Sequence, residues 1–326
     1  MNERKVDPIG QLKTALGKES GGVTNRLQEL LGGYAYDATG NLSGRTNNGF
    51  LQSFNVNSLN ELTTVTRNAT NRLTVAGTTT SAATNVTVNT SNAVLYLDRT
   101  FASTNHSLVN GHNSFTAIAR DSLGRRDTNS ITVYLPTNAV YQYDLNGNLT
   151  NDSAKVLEYD DENQLTRVTK ATEFKKEYVY DGKMRLRIRK EFTWRNSAWT
   201  QTNEIRFIWD GDVIVQQRDA NNLPTLTFTR GTDLSGSLQG AGGIGGVLAM
   251  SQHSTITPQH SYYHADGNGN VTMLIDANQH SVAKYLYDPF GNPNSVSGSQ
   301  AFVNPKRKRK EKVSVNGIDN FSGLDR

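Results

Sequence analysis

The chain contains no cysteine. Disulfide staples and thiolate metal centres are therefore excluded, while the compartment stays open. A long apolar run is also missing. The most apolar stretch, Gly240 to Met250, is too short to cross a bilayer, and Met1-Asn2-Glu3-Arg4-Lys5 is not followed by the apolar core of a signal peptide. Neither a membrane span nor a signal peptide is expected. Hydrophobic residues make up only 35% of the 326 positions, thin for a compact globule but sufficient for sheets with one solvated face. Charge of one sign is lacking too. The formal +4 comes from Lys306-Arg307-Lys308-Arg309-Lys310-Glu311-Lys312, with six cations and one carboxylate, so the rest of the chain is near neutrality. Such a body offers no general nucleic-acid footprint, and no specific nucleic-acid partner is expected.

What the chain has is a repeated phrase, Tyr-x-Tyr-Asp-x-x-Gly-Asn. It reads Tyr34-Ala35-Tyr36-Asp37-Ala38-Thr39-Gly40-Asn41, again Tyr141-Gln142-Tyr143-Asp144-Leu145-Asn146-Gly147-Asn148, and again from Tyr285 through Tyr287-Asp288-Pro289-Phe290-Gly291-Asn292. Two tyrosines two residues apart share one face of a strand. The Asp carboxylate can accept N–H groups of the following turn, and Gly-Asn tolerates the positive φ of a tight hairpin. Each copy is a predicted β-hairpin.

Degenerate copies follow once the template is known. Leu157-Glu158-Tyr159-Asp160 leads to Asn163 in place of Gly, and Phe54-Asn55-Val56-Asn57 puts Asn at the Asp position. Tyr178-Val179-Tyr180-Asp181-Gly182 and Phe207-Ile208-Trp209-Asp210-Gly211 read as shorter Asp-Gly turns. Tyr262-Tyr263-His264-Ala265-Asp266 precedes a wider one, and Val6-Asp7-Pro8-Ile9-Gly10 is half a copy. Several copies lie about 20 residues apart, as a hairpin array requires. The gaps from Asn57 to Asp144 and from Asp210 to Asp266 are longer and imply insertions.

These residues resemble the YD repeats of the Rhs family, which includes bacterial Rhs and Tc-toxin shell proteins and animal teneurins. The resemblance covers roughly residues 1–70 and 137–295, and Tyr262 to Asn292 is similar to the Rhs core segment. It implies an all-β fold: antiparallel hairpins in a curved, spiralling sheet forming part of a hollow shell. It also implies a secreted or cell-surface setting, and as partners a C-terminal toxin or further YD repeats of a parent protein. The Tyr-Arg-Phe-Ser-type continuation expected after Asn304-Pro305 is missing and no toxin-sized domain follows, so a fragment or partial shell is expected.

Between the two repeat regions the pattern changes. Leu73 and Val75, Val86 and Val88, Leu95 and Leu97, Phe115 and Ala117, and Ile131 and Val133 alternate with polar residues, and Asp121-Ser122-Leu123-Gly124 is one of the turn clusters that divide them. The pattern predicts a small sandwich, and Asn113 to Gly124 is similar to the late strands of a bacterial Ig-like domain. The organisation expected is YD repeats over 1–70, an inserted Ig-like sandwich over 71–136, repeats and a core-like segment over 137–295, and a disordered basic tail over 296–326. Leu27, Leu30 and Leu31 fit either a short helix or another irregular repeat. Trp194 and Trp199 flank a hairpin tip.

Several stretches imitate chemical motifs. Gly240-Ala241-Gly242-Gly243-Ile244-Gly245-Gly246 has the glycines of a dinucleotide loop, but Pro258 interrupts the region where its helix and second strand belong. Asp266-Gly267-Asn268-Gly269-Asn270 begins like a calcium loop and then offers Val271 and Ala277 where Gly and Glu are needed. His260 and His264 have helical ligand spacing, but on a strand they are about 13 Å apart. Asp160-Asp161-Glu162 reads as turn carboxylates. The resemblance also raises aspartate-dependent self-cleavage at Asp288-Pro289-Phe290-Gly291 and at Asp7-Pro8-Ile9-Gly10, but both fit the plain turn template and the downstream cleavage region is absent. The expectation is a non-enzymatic structural protein with no catalytic residue, cofactor or metal, whose key residues are those of the repeats. Two rival expectations stand beside it. One is an adhesion module binding glycans or a cell-surface receptor, and the other is a truncated remnant without function.

Overall fold

The structure is a computed structural model that describes residues 2–17, 33–47, 49–79, 81–97, 99–253, 257–287, 293–301 and 314–315. Among them there is no helix, and every strand pairing is antiparallel. The expected all-β hairpin fold is what the chain adopts. The helix-or-repeat segment around Leu27, the basic run Lys306–Lys312, and both Asp288 and Gly291 lie outside the described residues.

The chain divides into two compact units, Met1–Ala139 with Tyr285–Ser297 and Phe302–Arg326, and Val140–Lys284 with Gly298–Ala301. In the first, Asn2–Val6 and Leu12–Gly17 form a hairpin. A five-stranded sheet follows in the spatial order Asn138–Val140, Leu62–Arg67, Phe50–Val56, Leu42–Asn47, Gly33–Tyr36. Thus Leu62–Arg67 neighbours a strand some seventy residues on, and the Arg67 N–H donates to the Thr137 carbonyl at 2.9 Å. The intervening chain, with Ser314–Val315 added at the edge of the first, makes two four-stranded sheets. One runs Val94–Leu95, Thr100–Ser107, Arg72–Thr78, Ser314–Val315, and the other Arg126–Leu135, Gly111–Arg120, Asn85–Val88, Ser91–Asn92.

Alternation places Leu73, Val75, Val86, Val88, Phe101, Phe115 and Ala117 in one buried cluster. Leu97 departs from the expected strand pattern: it lies in a turn and is fully exposed. Arg67 closes the base of this segment. Its buried guanidinium donates through Nη2 to the carbonyls of Val109 at 2.6 Å and Leu135 at 2.8 Å.

A meander of fourteen strands runs from Gln142–Tyr143 to Pro293–Ser297, each beside its sequence neighbour. Its strands through Val271–Asp276 belong to the second unit. Register shifts recur at the hairpin ends, and each such bulge adds twist, so the sheet coils instead of lying flat. Cross-strand pairing assigns the faces. Tyr178, Arg189 and Ile205 align in one row, Phe207, Gln217 and Leu226 in another, and Phe228, Met250 and Ser261 in a third. All but Tyr178, which is half-buried, are buried. The opposite face carries Glu158 with Arg167, and Glu177 with Lys190 and Glu204, a ladder of alternating charge. The hairpin tip between Trp194 and Trp199 is a two-residue turn, Asn196 and Ser197 with positive φ, and the two indoles meet edge to face at 4.9 Å.

Candidate functional site

The repeated residues converge on the turns. At the first full copy, the Asp37 carboxylate accepts the N–H of Thr39 at 2.9 Å and of Asn41 at 2.8 Å. The Asp37 N–H donates to the Asn41 carbonyl, and the Gly40 N–H to the Asp37 carbonyl. Gly40 has φ +89°, which closes the hairpin with one extra residue. The Asn41 side-chain amide adds a bond to the carboxylate and leads the interactions that hold the Asp37 pKa down to about 2. Asp144 is lowered chiefly by Asn148 and Asp181 chiefly by Arg185.

The same pair of bonds, from the N–H groups two and four positions on, occurs at Asp7, Asn57, Asp121, Asp144, Asp160, Asp181, Asp219, Asp266 and Asp276. This corrects two sequence expectations. Asp181 does not make a shortened turn at Gly182: its left-handed residue is Met184, φ 59°, in the place Gly40 occupies. Asp266 is not followed by a wider turn, since Gly269 closes it as Gly40 does. The turn expected at Asp121–Gly124 takes this same form, whereas those at Asp219 and Asp276 escaped the template, with Arg218 and Ile275 before them in place of an aromatic. Asp210 is the exception. It pairs directly with Val213 across Gly211 and Asp212, and the Gln239 side chain bonds both the Asp212 N–H and the Asp210 carbonyl.

The aromatic positions have separate duties. The first tyrosine is an anchor: Tyr34 is buried, and burial pushes the Tyr141 phenol up to about 12. The second reaches back to the preceding hairpin. The Tyr180 hydroxyl donates to the Leu165 carbonyl at 3.0 Å and the Trp209 indole N–H to the Leu186 carbonyl at 2.8 Å; each carbonyl lies just past the preceding Asp turn. Tyr36 and Tyr159 are raised first by burial and then by the charges of Asp7 and Asp144, the carboxylates of their preceding turns. Tyr143, Tyr263 and Tyr287 are part-buried strand residues. Turn residues bridge in the opposite direction, to the turn that follows. Asn41 donates to Asn60 at 2.9 Å, Asn148 to Asn163 at 2.7 Å, and Arg185 to the Gly211 carbonyl at 2.8 Å. Gly147 supplies φ 81° at its own turn.

The Gly-rich segment 231–246 is organised by Asp233, which the sequence reading missed. This buried carboxylate accepts Ser235 N–H and hydroxyl at one oxygen, and the N–H groups of Ala241 and Gly243 at the other. The Ser235 hydroxyl is the foremost influence drawing it down to about 2. A Cβ at Gly243 would lie 2.7 Å from Val213 Cγ1, so close packing requires glycine there. His260 and His264 bond Ser251 and Thr272, and no group of three His, Asp or Glu among the described residues is placed to hold a metal.

No family model matches the chain. Among curated proteins it is 30% identical over 161 residues to the tRNA3(Ser)-specific nuclease WapA of Bacillus spizizenii, and equally to the tRNA nuclease WapA of Bacillus subtilis. The match takes in 48% of this chain and 6% of each relative, so this chain spans a small part of their length. Chains in crystal structures of TcdB2-TccC3-Cdc42 and TcdB2-TccC3-TEV align over 91% of this chain, at 12% and 10% identity, covering 15% and 17% of those chains with a TM-score of 0.38. At that level of superposition the likeness decides neither fold nor function. The WapA match overturns the expectation of a non-enzymatic protein: both relatives are nucleases by name. The reason is physical. Turn chemistry explains the repeats, but it carries no information about the chemistry of a longer protein that contains them.

Proposed function

We propose that this chain is a stretch of wall from an Rhs-type shell that encloses or presents the toxic domain of a longer protein. The observation that carries this reading is the backward reach of the second aromatic, Tyr180 to Leu165 and Trp209 to Leu186, which fastens these two hairpins to the ones before them. A wall built this way gains stability from every neighbour and needs no compact globular core. The buried placement of Phe207, Phe228 and Met250 on one sheet face supports the same reading, because an adhesive surface would present its aromatics to solvent. In this reading residues 1–70 and 137–295 are YD repeats, 71–136 an inserted Ig-like sandwich and 296–326 a basic tail. The partners are further repeats and a toxic domain, and the setting is extracellular. Co-expression with the coding sequence downstream tests it. The expected result is co-purification, with the downstream product shielded from trypsin. A product that is digested freely in the presence of this chain would overturn the proposal.

A further inference from the structure

One titratable side chain is enclosed by apolar packing and takes no part in a turn. Thr100–Ser107 pairs with Arg72–Thr78, but the register shifts between Ser103 and His106, and Asn105 has a φ of 67°. On a regular strand, residues three apart face opposite sides. The bulge returns His106 to the side of Ser103, so that both are buried and His106 Nε2 lies 2.9 Å from Ser103 Oγ. The imidazole stands edge-on to Phe115 with ring centroids 5.7 Å apart, and its cross-strand partner is Leu73. Both belong to the apolar cluster of this segment.

No carboxylate waits for an imidazolium here. On the strands packed against it, Arg72–Thr78, Asn85–Val88, Val94–Leu95 and Gly111–Arg120, the charged or titratable residues are Arg72, His112 and Arg120, all exposed. Its own strand carries none besides His106. A proton on His106 would place an unpaired charge among Leu73 and Phe115, which this packing cannot solvate.

We propose that His106 is an acid-sensitive latch on residues 72–135: neutral and bonded to Ser103 it holds the segment closed, and protonation opens it. The latch is independent of the shell reading. Burial holds the imidazole below its ordinary 6.5. The folded state therefore binds fewer protons than the unfolded one, and stability is full above about pH 6.5 and falls as the pH drops below it. At pH 5.5 protonation of the opened state lowers protection by up to about tenfold, the limit reached when the folded imidazole stays neutral.

Hydrogen exchange of the full chain at pH 7.5 and 5.5, corrected for intrinsic exchange, reads this directly. Amides of 73–76 and 101–103 are expected to lose protection at pH 5.5, by up to about tenfold, in the unsubstituted chain and in His112→Gln but not in His106→Gln. A loss that persists in His106→Gln, or that is absent from the unsubstituted chain, overturns the proposal. If His106→Gln fails to fold, an NMR titration of the His106 ring in the unsubstituted chain decides: a midpoint below 6.5 supports the latch, and one at or above 6.5 overturns it.

Discussion

At the scale of single residues, the turns separate two requirements that the repeated phrase fuses. The carboxylate, or Asn57 in its place, must accept two N–H groups, while the residue three positions on must adopt positive φ. Glycine meets the second requirement without strain, whereas an L side chain costs about 1–2 kcal/mol. Met184, with φ 59° and a largely exposed side chain, carries that strain with little packing in return. Met184→Gly is expected to raise the urea midpoint by an amount worth about 0.5–1 kcal/mol, net of glycine's entropic cost. Gly40→Ala should lower it by about 1 kcal/mol. Equal midpoints for all three proteins would show that these slots are not strained.

At the scale of elements, the bonds that matter join one hairpin to the next. Tyr180→Phe removes only a hydroxyl and leaves the Leu165 carbonyl without its donor, for an expected loss of about 0.5–1.5 kcal/mol in equilibrium unfolding. Trp209→Phe should do the same to the Leu186 carbonyl, with an added packing loss. Arg67→Met keeps the apolar stem but removes the charged donor from the carbonyls of Val109, which retains only the longer bond from the Asn113 amide, and Leu135, and is expected to cost about 1–3 kcal/mol. Its effect should appear as faster exchange at 109–113, and unchanged exchange there would refute the clamp.

Much of this scale was legible in the sequence. The Asp-x-x-Gly turns announce themselves because their chemistry is local, within four residues. What stayed hidden depends on distance. The Asp233 donors come from Ala241 and Gly243, the Asp210 turn is completed by Gln239, and the Arg67 acceptors lie some forty and seventy residues away. Asp219 and Asp276 were local but were passed over for want of a tyrosine, a residue the turn itself does not require.

At the scale of the whole molecule, the many turn carboxylates add up to a pH response. Asp37 and Asp233 fall to about 2 in the folded chain, below the unfolded value near 4. Their contribution is complete above about pH 4 and drains as the pH falls toward 2. His106 acts earlier, below about 6.5, and only on residues 72–135. Acid unfolding followed by circular dichroism and by exchange should therefore proceed in two stages, with the 72–135 segment opening first and the Trp-bearing meander persisting until the carboxylates titrate. A single transition near pH 3 across both probes would contradict this order.

The bond from the Arg67 N–H to the Thr137 carbonyl has a consequence for ancestry. The chain leaves and re-enters at points one hydrogen bond apart, so the ladder itself would close over an intervening segment of another length. The seam is nonetheless specific: Phe50 of the ladder packs in the apolar cluster that holds Leu73, Val75 and Leu135, and the Asn71 amide donates to the Leu51 carbonyl at 2.7 Å. A segment exchanged at this position would have to fill the same place beside Phe50.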